Sequence, residues 1–346
     1  MDFNQVTIKD IARELGISPS TVSRALKDHP DISRETKKAV TELAQKLNYQ
    51  PNIVALNLRT RKTHTIGVII PELVHFFFST VISGIEAAAY EAGYSVILSQ
   101  SNESFEREVN NFKTLFNLRV DGMLISLSRE TNNFEHIEAT INRGTPIVFY
   151  DRSYHNPACN SVTVDDYVGA KEAVQHLING GARNIAHISA AHNTKIAQER
   201  LRGYKDALLE NELDFKDQLV VKCENGNVED GKAAMMGLLK QSPRPDAVFT
   251  NNDLLGMGAM NIIKNEGLKI PADIAVVGFS DWAYSELMEP PLSSVHQPGF
   301  EMGQEATRML IKMIELKDKR VEGIRPESKV LKTRLVVRAS SDRKNS

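Results

Sequence analysis

Several polar or charged side chains stand just past apolar runs of this sequence. Asp151 follows Ile147–Tyr150, Asn252 and Asp253 follow Val248–Asn251, and Ser280 and Asp281 follow Val276–Phe279. Arg200 heads a helical stretch after the run Ile185–Ser189 and its loop. If those runs are parallel strands, the polar residues meet outside the carboxyl ends of a sheet, where α/β folds bind ligands. A carboxylate, a guanidinium, an amide and a hydroxyl could there fix a small polar molecule by hydrogen bonds. Helix capping and local loop bonding would use the same residue types. Signals for catalysis are absent: the chain has no GxxxxGK[ST] loop, no well-placed GxGxxG, no HExxH and no GxSxG elbow. Gly256-Met257-Gly258 sits inside a helical pattern, which points to packing and away from phosphate binding. No catalytic residue, cofactor or metal ligand is therefore expected.

A second set of residues suits nucleic acid. Ser18 starts a helix with Pro19 at its first position, where proline is best tolerated. Val22 and Leu26 share one face of it, while Ser20, Thr21 and Arg24 lie on or toward the other. Upstream, Ile8, Ile11, Ala12 and Leu15 repeat at helical spacing behind the capping pair Thr7 and Asp10, and Gly16 supplies a turn. A third helix is predicted from Ser33 to Leu47. Two short helices about a glycine turn form a helix-turn-helix, whose second helix can enter the major groove. A three-helix bundle with no DNA partner would share this spacing. Residues 1–62 carry eleven basic and seven acidic side chains, a surplus of four; the total of −2 leaves the remainder at −6. A basic head on an acidic body suits a polyanion at the head.

The elements behind the first set repeat. From Thr65 the sequence alternates apolar runs with amphipathic stretches, first through Ile66–Ile70, Tyr94–Leu98, Gly122–Ser126 and Pro146–Tyr150. A second series runs through Asn184–Ser189, Gln218–Lys222, Ala247–Thr250 and Ala275–Phe279. Continuous apolar strands between helices predict parallel sheets covered on both faces. Two such doubly wound units predict a two-lobed binder with its ligand between the lobes. Hydrophobic residues at 41% and charged residues at 25% exclude a disordered or fibrous chain. Two cysteines, Cys159 and Cys223, are too few for a disulfide framework. No apolar run reaches membrane-spanning length and no secretory pattern opens the sequence, so a soluble cytoplasmic protein is expected.

Between head and body, Tyr49–Arg59 follows a proline start and is short, apolar and flanked by bases. About two helical turns without a core are marginal alone and need something to pack against. Here the sequence resembles the LacI/GalR (lactose-repressor) family of bacterial transcription regulators. The resemblance rests on Thr7-Ile8-Lys9-Asp10-Ile11-Ala12, Ser18 with Thr21-Val22-Ser23-Arg24, Ile32-Ser33, and Tyr49-x-Pro51-Asn52-x-x-Ala55-x-x-Leu58, and it continues through the chain. It implies a helix-turn-helix head over 1–48, a hinge helix and linker over 49–63, and a periplasmic-binding-protein-like α/β core over 64–346. The first lobe is then expected at about 64–152 and 296–325, the second at about 160–292 and 328–340, with three crossings between them.

The resemblance further implies a homodimer on an inverted-repeat operator, away from any membrane, with a small-molecule effector or corepressor at the crevice. Ser18, Pro19, Ser20, Thr21, Ser23 and Arg24 would face the major groove, Thr7, Ser33 and Thr36 the phosphates, and Asn52, Ala55 and Leu58 the minor groove. An apolar wedge such as Leu58 costs unstacking and gains a bent, better-wrapped duplex. Arg24 has the fork to span O6 and N7 of guanine. Effector contacts fall on Asp151, Arg200, Asn252 and Ser280, with Asp281 and Gln297 beside them. Phe76, in His75-Phe76-Phe77-Phe78, is placed to stack on a ligand face. The sequence departs from the family's pattern at Pro19, Ser20 and Leu56. It departs again at Ser280, where sugar-binding members commonly carry an aspartate. A solute-binding protein without regulatory DNA binding is the competing class.

Overall fold

The computed structural model describes residues 6–50, 62–74, 76–154, 159–190, 194–318 and 325–343. Asn52, Ala55 and Leu58 lie outside the described residues, with the rest of 51–61. The chain divides into two compact units, Met1–Thr63 and His64–Ser346.

In the first unit, α1 (Ile8–Leu15), α2 (Pro19–Ala25) and α3 (Arg34–Lys46) each begin at a polar cap. The Asp10 carboxylate accepts from the Thr7 backbone N–H at 2.9 Å and from its hydroxyl at 2.7 Å. Ser18 Oγ accepts from Thr21 N at 3.1 Å, and Ser33 Oγ from Thr36 N at 3.2 Å. Gly16 ends α1 at φ +65°, a conformation glycine adopts without steric cost. Ile11, Val22, Val40 and Leu43 meet in a small core, with Ile8, Leu15, Leu26 and Tyr49 around it.

The second unit holds two six-stranded sheets. β1 (Thr65–Ile70), β2 (Ser95–Gln100), β3 (Gly122–Ile125), β4 (Ile147–Tyr150), β5 (Asn160–Val164) and β11 (Ser328–Leu331) form the first, ordered β11-β5-β4-β3-β1-β2. β6 (Ile185–Ala190), β7 (Val220–Cys223), β8 (Ala247–Thr250), β9 (Ala275–Ser280), β10 (Ser293–His296) and β12 (Arg334–Val336) form the second, ordered β12-β10-β9-β8-β6-β7. Every pairing is parallel except β12 on β10. In the first lobe α4 (Phe76–Glu91) and α11 (Gly299–Asp318) cover one face through Val81, Ile85, Met302 and Leu310. α5 (Phe105–Asn117) and α6 (Glu135–Asn142) cover the other through Phe112, Leu115 and Ile137. In the second lobe α7 (Asp166–Asn179) and α8 (Lys195–Glu210) take one face, and α9 (Val228–Leu238) and α10 (Asp253–Asn265) the other.

The lobe limits differ from the sequence expectation. Residues 160–164 and 328–331 belong to the first sheet, and His296 to the second. β5 reads as polar, yet Val162 and Val164 enter the first lobe's core and its backbone pairs with β4. Asn160 Oδ1 accepts from Glu327 N at 2.9 Å, and the Ser161 and Ser328 hydroxyls meet at 3.0 Å, so β5 brings β11 with it. The stretch Gln218–Lys222 likewise splits into a 3-10 turn at Asp217–Leu219 and β7, which places Cys223 at a strand's carboxyl end.

Gly256-Met257-Gly258 does pack a helix pair. A Cβ on Gly258 would lie 2.1 Å from the Val228 carbonyl oxygen, and one on Gly231 2.3 Å from that of Leu255, so α9 and α10 touch backbone to backbone.

Candidate functional site

The carboxyl ends of both sheets face one another across a crevice with a cavity of about 130 Å³. The structure brings Asp151, Arg200, Asn252, Ser280 and Gln297 to its lining, four of them at strand ends or a helix cap and Arg200 from the second turn of α8, which begins at Lys195 rather than at Arg200. Phe77 and Phe78 supply the apolar wall. Phe76 does not reach this cavity; it borders a smaller adjoining one of about 40 Å³ with Val74, Leu254 and Trp282. Asp281 is also elsewhere. Its carboxylate pairs with Arg338 at 2.8 Å and His296 at 3.0 Å, partners that hold it below the usual carboxylate range although burial pushes it up.

Arg200 is buried, and each nitrogen of its guanidinium is engaged. Nε and Nη2 reach Asp166 at 2.8 and 2.7 Å, Nη1 donates to the Asn251 carbonyl, and the plane lies 3.6 Å from the Phe279 ring centroid. Asp166, at the first turn of α7, is raised by burial and lowered by Arg200, with a net rise. Asp151 takes a left-handed backbone at φ +58° at the end of β4. Burial pushes its pKa up to about 7, against the pull of Arg152 and Arg200 and helped by Asp166.

On the second lobe's side, Asn252 caps α10 by accepting from Leu255 N at 2.9 Å and donates to the Gly226 carbonyl at 2.9 Å. Ser280, at φ +110°, donates to Gln297 Oε1 at 2.9 Å. Gln297 Nε2 and Asn251 Oδ1 are buried without a partner, a donor and an acceptor that a polar ligand could engage. Asp253 turns away from the cavity. It accepts from Trp282 N at 2.6 Å and from the Ser285 and Ser294 hydroxyls, and burial carries its pKa to about 6.

Sequence reasoning missed Glu103, Arg129 and Arg152 of the first lobe's wall. Arg152 Nη1 lies 2.7 and 2.9 Å from the two Glu103 oxygens. Burial would raise Glu103, but Arg152 and Arg129 hold it below the usual range. Arg152 directly follows Asp151, so the strand-end argument applied evenly would have found it. His187 is buried between the Tyr204 and Phe249 rings, donates from Nδ1 to the Phe249 carbonyl, and is driven by burial to a pKa of about 4. Among the described residues no group of three His, Cys, Asp or Glu side chains could hold a metal ion, and no helix is long and apolar enough to cross a membrane.

The head offers a different surface. Ser18, Pro19, Ser20 and Arg24 are exposed along the start and outer face of α2, with Thr21 and Ser23 half-buried beside them. Thr7 and Ser33 are exposed, and Thr36 half-buried, at the starts of α1 and α3. Ser18 Oγ meets the Ser20 and Thr21 hydroxyls at 2.7 and 2.8 Å, a compact hydroxyl cluster next to one free guanidinium.

A helix-turn-helix head joined to a two-lobed binding body defines a DNA-binding transcription regulator. The chain belongs to the lacI family of bacterial regulatory proteins: residues 7–52 match the model for that family's head, and residues 63–333 match periplasmic binding proteins and the sugar-binding domain of the LacI family. It is 34% identical over 308 residues to catabolite control protein A of Priestia megaterium, covering 89% of this chain and 92% of that one. The lac repressor dimer bound to operator and the anti-inducer ONPF superposes with a TM-score of 0.85 at 27% identity, over 98% of this chain and 99% of that one. The transcriptional regulator CelR in complex with cellobiose gives 0.73 at 30% identity, over 97% and 99%.

Proposed function

We propose that this protein is a homodimeric repressor whose affinity for an inverted-repeat operator is set by a small polar ligand in the crevice. The observation that carries the reading is convergence: Asp151, Arg200, Asn252, Ser280 and Gln297, spread over 147 positions of sequence, line one cavity, in whose wall two buried amide atoms, Gln297 Nε2 and Asn251 Oδ1, still lack partners. Arg24 reads a base edge, Ser18, Ser20, Thr21 and Ser23 read or fit the major groove, and Thr7, Ser33 and Thr36 bind phosphates. Asn52, Ala55 and Leu58 enter the minor groove. A ligand acts only through its unequal affinity for the open and closed lobes, and that difference is what reaches the operator. The crevice carboxylates and guanidiniums are largely paired with one another, which supports binding and not turnover.

Selection of bound duplexes from a random pool by the purified ligand-free protein tests this. An enriched inverted repeat is expected. No enrichment, with and without cell extract as a source of corepressor, would remove the operator reading.

A further inference from the structure

The lobes also touch far from their crossings. The chain passes between lobes after β5, after β10 and after β11, all at or next to one edge of each sheet. β2 and β7 form the opposite edges. Glu103 follows β2, Glu224 follows β7, and Arg129 lies beyond β3 on the first lobe. Arg129 Nη1 donates to the Glu224 backbone carbonyl at 2.8 Å, so a first-lobe side chain holds second-lobe backbone. The guanidinium is aimed by Glu103, which accepts from the Arg129 backbone N–H at 2.7 Å and pairs with its Nε at 3.6 Å. Glu103 is itself buried, at φ +61°, and fixed by Arg152. The held segment belongs to the crevice wall: two residues on, the Gly226 carbonyl accepts from Asn252.

We propose that Arg129 is a positioning residue that clasps the lobes, and that its bond to the Glu224 carbonyl sets how far the crevice stands open before a ligand enters. Rotation about the crossings displaces the far edge most, so this bond is lost early in any opening. Its acceptor is a neutral carbonyl and Arg129 stays paired with Glu103 either way. Opening therefore strands no buried charge, which suits a contact that must break and re-form. The clasp rests on the crevice reading only for its regulatory meaning.

Testing the clasp itself needs neither ligand nor operator; only its regulatory meaning calls for the operator duplex. Cys223 is buried on the crevice wall beside Glu224, so its labelling by N-ethylmaleimide reports opening. Mass spectrometry of the labelled peptide separates it from Cys159. In the full chain, Arg129→Ala is expected to raise the Cys223 rate about tenfold, the scale of one lost charge-assisted hydrogen bond. Glu103→Gln, which removes the aim and keeps the volume, should give a similar rise, and the double variant no more than the larger single. An unchanged rate, additive effects in the double variant, or a rise that merely tracks a falling melting temperature would each overturn the clasp. Faster labelling with unaltered affinity for the selected operator duplex would keep the clasp and remove ligand control through the crevice.

Discussion

Two arginines show how the head and the body differ. Arg24 is exposed, and the head's described ion pairs, Arg13–Asp10, His29–Asp31, Lys37–Asp28 and Lys38–Glu42, leave it out. Arg200 is buried, forked onto Asp166, bonded to a carbonyl and laid over Phe279. A surface that meets a polyanion in water can keep its cation hydrated until DNA displaces counterions. A cavity that encloses a small ligand has to balance its own charges when the chain folds. Changes at Arg24 should therefore register in binding alone, and changes at Arg200 in folding as well.

The strongest way to break that contrast is Arg200→Ala. It leaves Asp166 buried without its cation, a defect worth roughly 3–5 kcal/mol. Scanning calorimetry should show the body's melting temperature falling by several degrees, and Asp166→Asn in the same chain should recover part of the loss. An unchanged melting temperature would mean that the pair is as dispensable as a surface contact. From sequence alone Arg200 is a ligand contact; its bridging of Asp166 makes it a structural group too.

Asp151 sharpens the contrast through pH. In the head, hydrogen bonds from Thr7 lower Asp10, whereas burial lifts Asp151 to about 7. A carboxyl raised above its unfolded value binds a proton more tightly when folded. Its stabilisation is complete below about pH 4 and is lost as pH rises toward 7. Asp151→Asn should remove that part of the slope. Relative to wild type, the variant's stability should rise between pH 4 and 7 by about 2 kcal/mol, less than the ~4 kcal/mol of three full pKa units because Asp151 borders the crevice. Denaturant melts at matched pH values measure the gap; a constant gap would place Asp151 among ordinary solvated carboxylates.

Strand ends were legible where an apolar run stops abruptly at a polar residue, as at Tyr150-Asp151 and Phe279-Ser280. Two physical situations hide a strand end or a site residue from the sequence. β5 buries the polar Asn160 and Ser161 beside its two valines, so Asn160-Ser161-Val162-Thr163-Val164 reads as a loop, and the first crossing is misplaced with it. Asp281 shares the strand-end position of Ser280, but the positive φ of both residues turns the chain so that Asp281 meets Arg338 and His296 while Ser280 faces Gln297. Side-chain direction at a strained corner is a property of backbone angles, which composition and spacing do not carry. The same limit explains Phe76, one residue away from the two phenylalanines that form the wall. The head was more legible because its helices are short, capped at both sequence and structure by Thr7, Ser18 and Ser33, and packed on a 3.6-residue period.

The smallest effect expected is at Arg24, and it tests the other half of the contrast. Arg24→Ala should weaken binding to the selected operator roughly tenfold, about 1.4 kcal/mol, the lower part of what one bidentate base contact supplies. The head's melting temperature should not move, because no described partner is left behind. Titrations on the operator and on a scrambled duplex at one salt concentration separate two roles. If Arg24 reads a base, the loss falls on the operator and preference relaxes at one base pair of each half-site. If it only neutralises a phosphate, both duplexes weaken equally and the dependence of affinity on salt becomes shallower by about one counterion. The second result would leave Arg24 open to solvent as the contrast requires, and would shift sequence reading onto the hydroxyls of Ser18, Ser20 and Thr21.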